Sequence, residues 1–144
     1  MKKISSDLVL LDLNVLFALA WPNHQFHAVS TRRMEAKSQR WATCALTQLG
    51  FIRLSCNPAV TSSPKLPYEA ACMLGAMIDE PLHVYLESLP IPNLEIFKSA
   101  TGHKQITDAY LLDLARRHDA TFLTFDAKLR VLAGTRVRTE VLGS

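Results

Sequence analysis

Cysteine, long apolar runs and net charge are all scarce in this sequence, and each shortage removes a class of protein. There are three cysteines in 144 residues, Cys44, Cys56 and Cys72. The number is odd and no two stand in a C-x-x-C spacing. Neither a disulfide framework nor a zinc knuckle is indicated, so a reducing cytoplasm is expected. No apolar run approaches the roughly 20 residues of a membrane span. The start Met1-Lys2-Lys3 has the outline of a signal peptide, but Asp7, Asp12 and Asn14 interrupt its apolar region and no clear small-residue cleavage site follows. Sixteen Lys plus Arg against thirteen Asp plus Glu leave a charge of +3, which permits a nucleic-acid partner without arguing for one. Internal repeats, low-complexity tracts and linkers are also missing.

What remains is an ordinary globular composition, 49% apolar and 20% charged, long enough for one domain over residues 1–144 with a sizeable core. Leu8 to Leu11 is a continuous apolar run, as in a strand buried on both faces of a parallel sheet. A helical pattern from Val15 to Ala20 stops at Pro22, and Asn23 is placed to cap a helix from about His24 to Ser38. Trp41 to Leu54 reads as a helix burying Leu46, Leu49, Phe51 and Leu54. The Pro-rich stretch 57–67 is a loop, followed by a helix from Tyr68 to Asp79 with Ala71, Leu74, Met77 and Ile78 as its stripe. Leu94 to Phe97 reads as a strand. Thr107 is placed to cap a helix through about His118, Thr121 to Phe125 reads as a buried strand, and Val137 to Leu142 as an edge strand. This alternation predicts an α/β fold, a three-layer α/β/α sandwich around a mostly parallel sheet. The basic clusters Arg32, Arg33, Lys37, Arg40 and Lys128, Arg130, Arg136, Arg138 read first as a solvated helix face and a protected edge strand.

Ligands of open parallel sheets gather beyond the carboxyl ends of the strands. Asp12 and Asp126 each follow directly on an apolar strand, and Asp108 lies in the first turn of a helix entered from that same edge. Any one of them alone reads as a helix cap or a dipole partner. Three carboxylates at one place repel each other, and a hard divalent cation, Mg²⁺ or Mn²⁺, resolves the repulsion. Such an ion acidifies water and neutralises phosphate oxygens, which suits phosphodiester hydrolysis.

At these residues the chain resembles the PIN-domain ribonucleases, in particular the VapC-like toxins of bacterial toxin–antitoxin pairs. The resemblance rests on Leu10-Leu11-Asp12-Leu13-Asn14-Val15-Leu16, on residues 41–54 (WATCALTQLGFIRL), on Ile106-Thr107-Asp108-Ala109-Tyr110-Leu111 and on Leu123-Thr124-Phe125-Asp126. Each motif is short, but their order and spacing are specific and cover nearly the whole chain. The resemblance implies Mg²⁺- or Mn²⁺-dependent RNA cleavage, homodimerisation and neutralisation by a small antitoxin. It assigns Asp12, Asp108 and Asp126 as acidic metal ligands, and Asn14, Thr107 and Thr124 as polar groups shaping the site. The remaining acidic position, generally Glu, falls at Gln48, which keeps an acceptor oxygen but loses the charge.

That departure leaves an alternative, a degenerate PIN-like module that binds RNA or a protein partner without cutting. Glu35, Glu69 or Asp113 could replace the missing carboxylate, although Asp113 is better placed to pair with Arg116 or Arg117. Arg53 is a candidate phosphate ligand through its bidentate fork. His24 and His27 read as cap and surface residues rather than a metal pair. A phosphotransferase is disfavoured: Asn14 occupies the place of the second Asp of haloacid dehalogenases, and the acidic pair and late Lys of receivers have no counterpart.

Overall fold

The computed structural model describes residues 4–143. Five strands make one parallel sheet: β1 (Ile4–Leu11), β2 (Ser38–Cys44), β3 (His83–Leu86), β4 (Thr121–Thr124) and β5 (Thr139–Val141), in the order β3-β2-β1-β4-β5. Six helices connect them: α1 (Leu13–Ala20), α2 (His27–Ala36), α3 (Ala45–Ser55), α4 (Pro67–Ile78), α5 (Ile106–Arg117) and α6 (Lys128–Ala133). The three-layer α/β/α expectation holds.

Side chains alternate across β1, and that alternation builds two cores. Leu8 and Leu10 face Phe122, Leu112 and Ala115 of α5, and Leu129 of α6. Val9 and Leu11 face Val15 and Leu16 of α1, Phe51 of α3 and Leu74 of α4. Both faces are covered, so the short strands read as continuous apolar runs. The chain winds outward from β1 to β3, then returns to the other side of β1 with β4. Strand order therefore reverses between β1 and β4, and a crevice opens there at the carboxyl edge.

Several local expectations are corrected. Residues 38–44 are strand β2 and the helix begins only at Ala45. Trp41 to Cys44 are buried between β1 and β3, and pairing on both sides overrides the helical period. On α3 Phe51 is buried, but Leu46 and Leu49 are 38% and 57% exposed. Leu94–Phe97 is one 3₁₀ turn, capped by Asn93 Oδ1 accepting from the Glu95 amide at 3.0 Å; the strand in this region is β3. Helix α2 starts at His27 with Phe26 as its cap residue, so Asn23 does not cap it. Thr107 lies inside α5, whose cap residue is Gln105. In α4 the inward residues are Ala70 and Leu74, and Ala71 faces out. Helix α6 was not expected. The edge strand was, and it is held to α2 by Arg33, whose Nε donates to Glu140 Oε2 at 2.7 Å. Among the described residues no helix is long and apolar enough to cross a membrane.

Candidate active site

Asp12 follows β1 directly at the crevice and caps α1. Its Oδ1 accepts from the Leu13 amide at 2.8 Å, and its own amide donates to the Leu123 carbonyl at 2.9 Å. Its Oδ2 accepts from the Thr124 hydroxyl at 2.6 Å. That same hydroxyl oxygen accepts from the Asp126 amide at 3.1 Å. Thr124 is fully buried, so one hydroxyl fixes two aspartates from adjacent strands. Asp126 is exposed, and its Oδ1 accepts from the Lys128 amide at 3.0 Å. Asp108 reaches the same place from the first turn of α5.

Asp12, Asp108 and Asp126 line one cleft of about 350 Å³. Burial raises the Asp12 carboxyl above its ordinary range, against the bonds from Thr124 and Leu13, and Asp126 adds repulsion. Asp108 is pushed up to about 6, first by burial and then by the charges of Asp12 and Asp126. Asn14, Thr107 and Arg53 line the cleft too, all three exposed. Arg53 thus shares it with the three carboxylates.

Gln48 is the member that does not join them. Its Nε2 donates to Thr43 Oγ1 at 3.0 Å and it does not line the cleft, although Leu46, Leu49 and Gly50 around it do. None of the substitute carboxylates lines it either. Glu69 Oε1 accepts from the Leu66 amide, and Asp113 is clamped by Arg116 at 2.8 Å and Arg117 at 2.9 Å. Burial pushes the Asp113 carboxyl up, but the bonds from Arg117 and Arg116 together hold it below the usual range. His24 Nδ1 accepts from the Phe26 amide, and a ring nitrogen of His27 meets the Ala18 carbonyl at 2.7 Å, so the two histidines serve local structure.

Sequence reasoning missed Gly50 and the pair Thr43 and His83. A Cβ on Gly50 would stand 2.6 Å from a methyl of Leu13, so α3 approaches the start of α1 closely at the cleft wall. A glycine inside a helical pattern was the available signal. Thr43 and His83 had none.

Among the described residues no three His, Cys, Asp or Glu groups are gathered closely enough to hold a metal ion as they stand. Three carboxylates on one cleft still form an oxygen-only, negative donor set, and Asp108 carries the strain of their repulsion. That chemistry fits a hard divalent cation that keeps much of its water.

This fold with this acidic cleft is that of a PIN domain, and the PIN-domain family model matches residues 9–135. The chain belongs to the PIN-domain family. It is 39% identical over 138 residues to Ribonuclease VapC38 of Mycobacterium tuberculosis, covering 93% of this chain and 96% of that one. Ribonuclease VapC39 of the same organism is 36% identical over 124 residues, covering 83% and 89%. A structure of VapBC2 from Rickettsia felis, bound to a DNA fragment from their promoter, shares the fold with a TM-score of 0.65 at 11% identity, covering 94% of this chain and 99% of that one.

Proposed function

We propose that this protein is a Mg²⁺- or Mn²⁺-dependent endoribonuclease, the toxin of a cytoplasmic toxin–antitoxin pair. The observation that carries the reading is the meeting of Asp12, Asp108 and Asp126 in one cleft that also holds Arg53. The ribonuclease names of relatives at 36% and 39% identity support it.

Asp12, Asp108 and Asp126 would hold the cation. Bound there, it would supply Lewis acidity toward a phosphate and acidify water at neutral pH. Thr124 keeps the Asp12 and Asp126 segments in register, so their carboxylates are aimed before RNA arrives. Asp108, titrating at about 6, is ionised at neutral pH and presents an acceptor. Arg53 binds the phosphodiester backbone through its fork, and Asn14 and Thr107 offer side-chain hydrogen bonds to the ribose-phosphate.

The antitoxin is a small protein whose amphipathic segment fills an apolar groove of about 340 Å³ beside the cleft, where Leu46, Leu89, Phe97 and Ile106 come together. Tyr110 forms one wall, its hydroxyl donating to the Pro90 carbonyl. The VapBC2 complex supports this partner. Homodimerisation completes the proposal, and sedimentation of the free protein tests it.

Labelled RNA with and without EDTA tests the activity. Cleavage by Asp108→Ala at the wild-type rate, unaffected by EDTA, would falsify it. One observation favours a second reading, a module that binds without cutting: Gln48 is neutral and bonded to Thr43. A wild type that binds RNA but is inactive, and is revived by Gln48→Glu, would select that reading.

A further inference from the structure

Gln48, Thr43 and His83 form a chain that the proposed chemistry does not use. Thr43 is the penultimate residue of β2 and is fully buried; His83 opens β3, and Gln48 lies near the start of α3. The Thr43 hydroxyl oxygen lies 3.0 Å from Gln48 Nε2 and 2.8 Å from His83 Nε2. A hydroxyl has one hydrogen to donate. If it accepts from the Gln48 amide nitrogen, its one hydrogen finds an acceptor between these two partners only in a bare His83 Nε2.

We propose that Thr43 and His83 are positioning residues for Gln48: they hold its amide in one orientation, nitrogen on Thr43 and oxygen Oε1 outside the chain as an acceptor beside the cleft, with the His83 proton kept on Nδ1. Resting on the nuclease reading for its use, this gives residue 48 a fixed polarity next to Leu46 and Leu49, which line the cleft. The direction of the chain and the protonation of His83 are one variable. A proton on His83 Nε2 leaves residue 48 as the acceptor for the Thr43 hydrogen, which the amide offers by rotating its oxygen to Thr43 and its nitrogen outward.

The surroundings of His83 favour the neutral ring. The Trp41 ring of β2 lies 4.7 Å away between centroids, and burial lowers the imidazole below its ordinary value. Glu80, in the turn before β3, opposes that and is the charged group facing it. It is itself engaged, accepting from Trp41 Nε1 at 2.6 Å. Thr43 and Gln48, from β2 and α3, are uncharged.

The test is a nitrogen-detected NMR titration of His83 in the metal-free protein, so it does not depend on nuclease activity. The neutral wild type is expected as the Nδ1–H tautomer. In Gln48→Glu the carboxylate can only accept, Thr43 must donate to it, and the neutral ring is expected as the Nε2–H tautomer, titrating about one pH unit higher. Thr43→Val, nearly isosteric, is expected to abolish the tautomer change on Gln48→Glu, and Thr43→Ser to restore it. An Nε2–H tautomer in the wild type, or a tautomer indifferent to Gln48→Glu, overturns the proposal. A protein that passes this test yet cuts no RNA overturns the nuclease reading alone.

Discussion

Thr124 donates its hydroxyl hydrogen to Asp12 across 112 residues of sequence, and this bond ties the end of β1 to β4 where the strand order reverses. Removing it leaves a buried carboxylate short of a donor. Thr124→Val should cost about 1–3 kcal/mol, the range for leaving a buried polar group without its partner. Thr124→Ser should cost less than half of that, and urea unfolding at pH 7 of the two variants checks it.

Asp108 sets a pH dependence in the metal-free protein. Its carboxyl titrates at about 6 in the fold against 3.8 ordinarily, so the folded state holds the proton more tightly than the unfolded one. Its contribution favours folding below about pH 4 and is lost as pH rises to about 6. Screening at this half-buried site leaves about 1–2 kcal/mol. Asp108→Asn should flatten that slope and be the more stable protein at pH 7, by chemical unfolding in EDTA.

Metal removal should stop RNA cleavage, and Mg²⁺ or Mn²⁺ should restore it. Among the described residues no three His, Cys, Asp or Glu groups are gathered ready for a metal, and Gln48 adds no charge, so on the nuclease reading Mg²⁺ should bind the free protein more weakly than micromolar. Calorimetry reporting micromolar or tighter affinity would contradict this.

On the nuclease reading, Arg53 is a binding group rather than part of the acid cluster. Arg53→Ala should raise KM for RNA about tenfold, or about 1.4 kcal/mol, with kcat changed little. The slope of log affinity against log salt should fall by about 0.7 for a single-stranded substrate. Arg53→Lys should keep the salt slope and recover only part of KM, because the bidentate fork is lost.

The cleft was legible in the sequence because Asp12 and Asp126 each follow an apolar run that only a doubly covered strand explains. Strand β2 was not. It passes into α3 with no Gly, Pro, Asn or Asp between them, and the junction is made by Thr47, whose hydroxyl meets both the amide and the carbonyl of Cys44 at 3.1 Å. With no breaker to read, the helical period extends backward over Trp41. Strand β3 was hidden by its four-residue length and its polar His83. Leu49 and Leu46 read as core, yet they face the cleft and groove; hydrophobic periodicity does not say whether the surface opposite is protein or solvent. The direction of Gln48 was beyond reach for a similar reason, since its partner Thr43 was assigned to the wrong kind of element.

The central position of β1 has a consequence for synthesis. Of the five strands β1 is made first and receives one neighbour early, but its other neighbour, β4, arrives with Thr124 and Asp126 only late in the chain. Such long-range pairing slows folding. Until it is complete, Asp12 lacks its bond from Thr124 and the growing polypeptide lacks Asp126. On the nuclease reading, the acidic cleft closes only after the last third of the chain has been made.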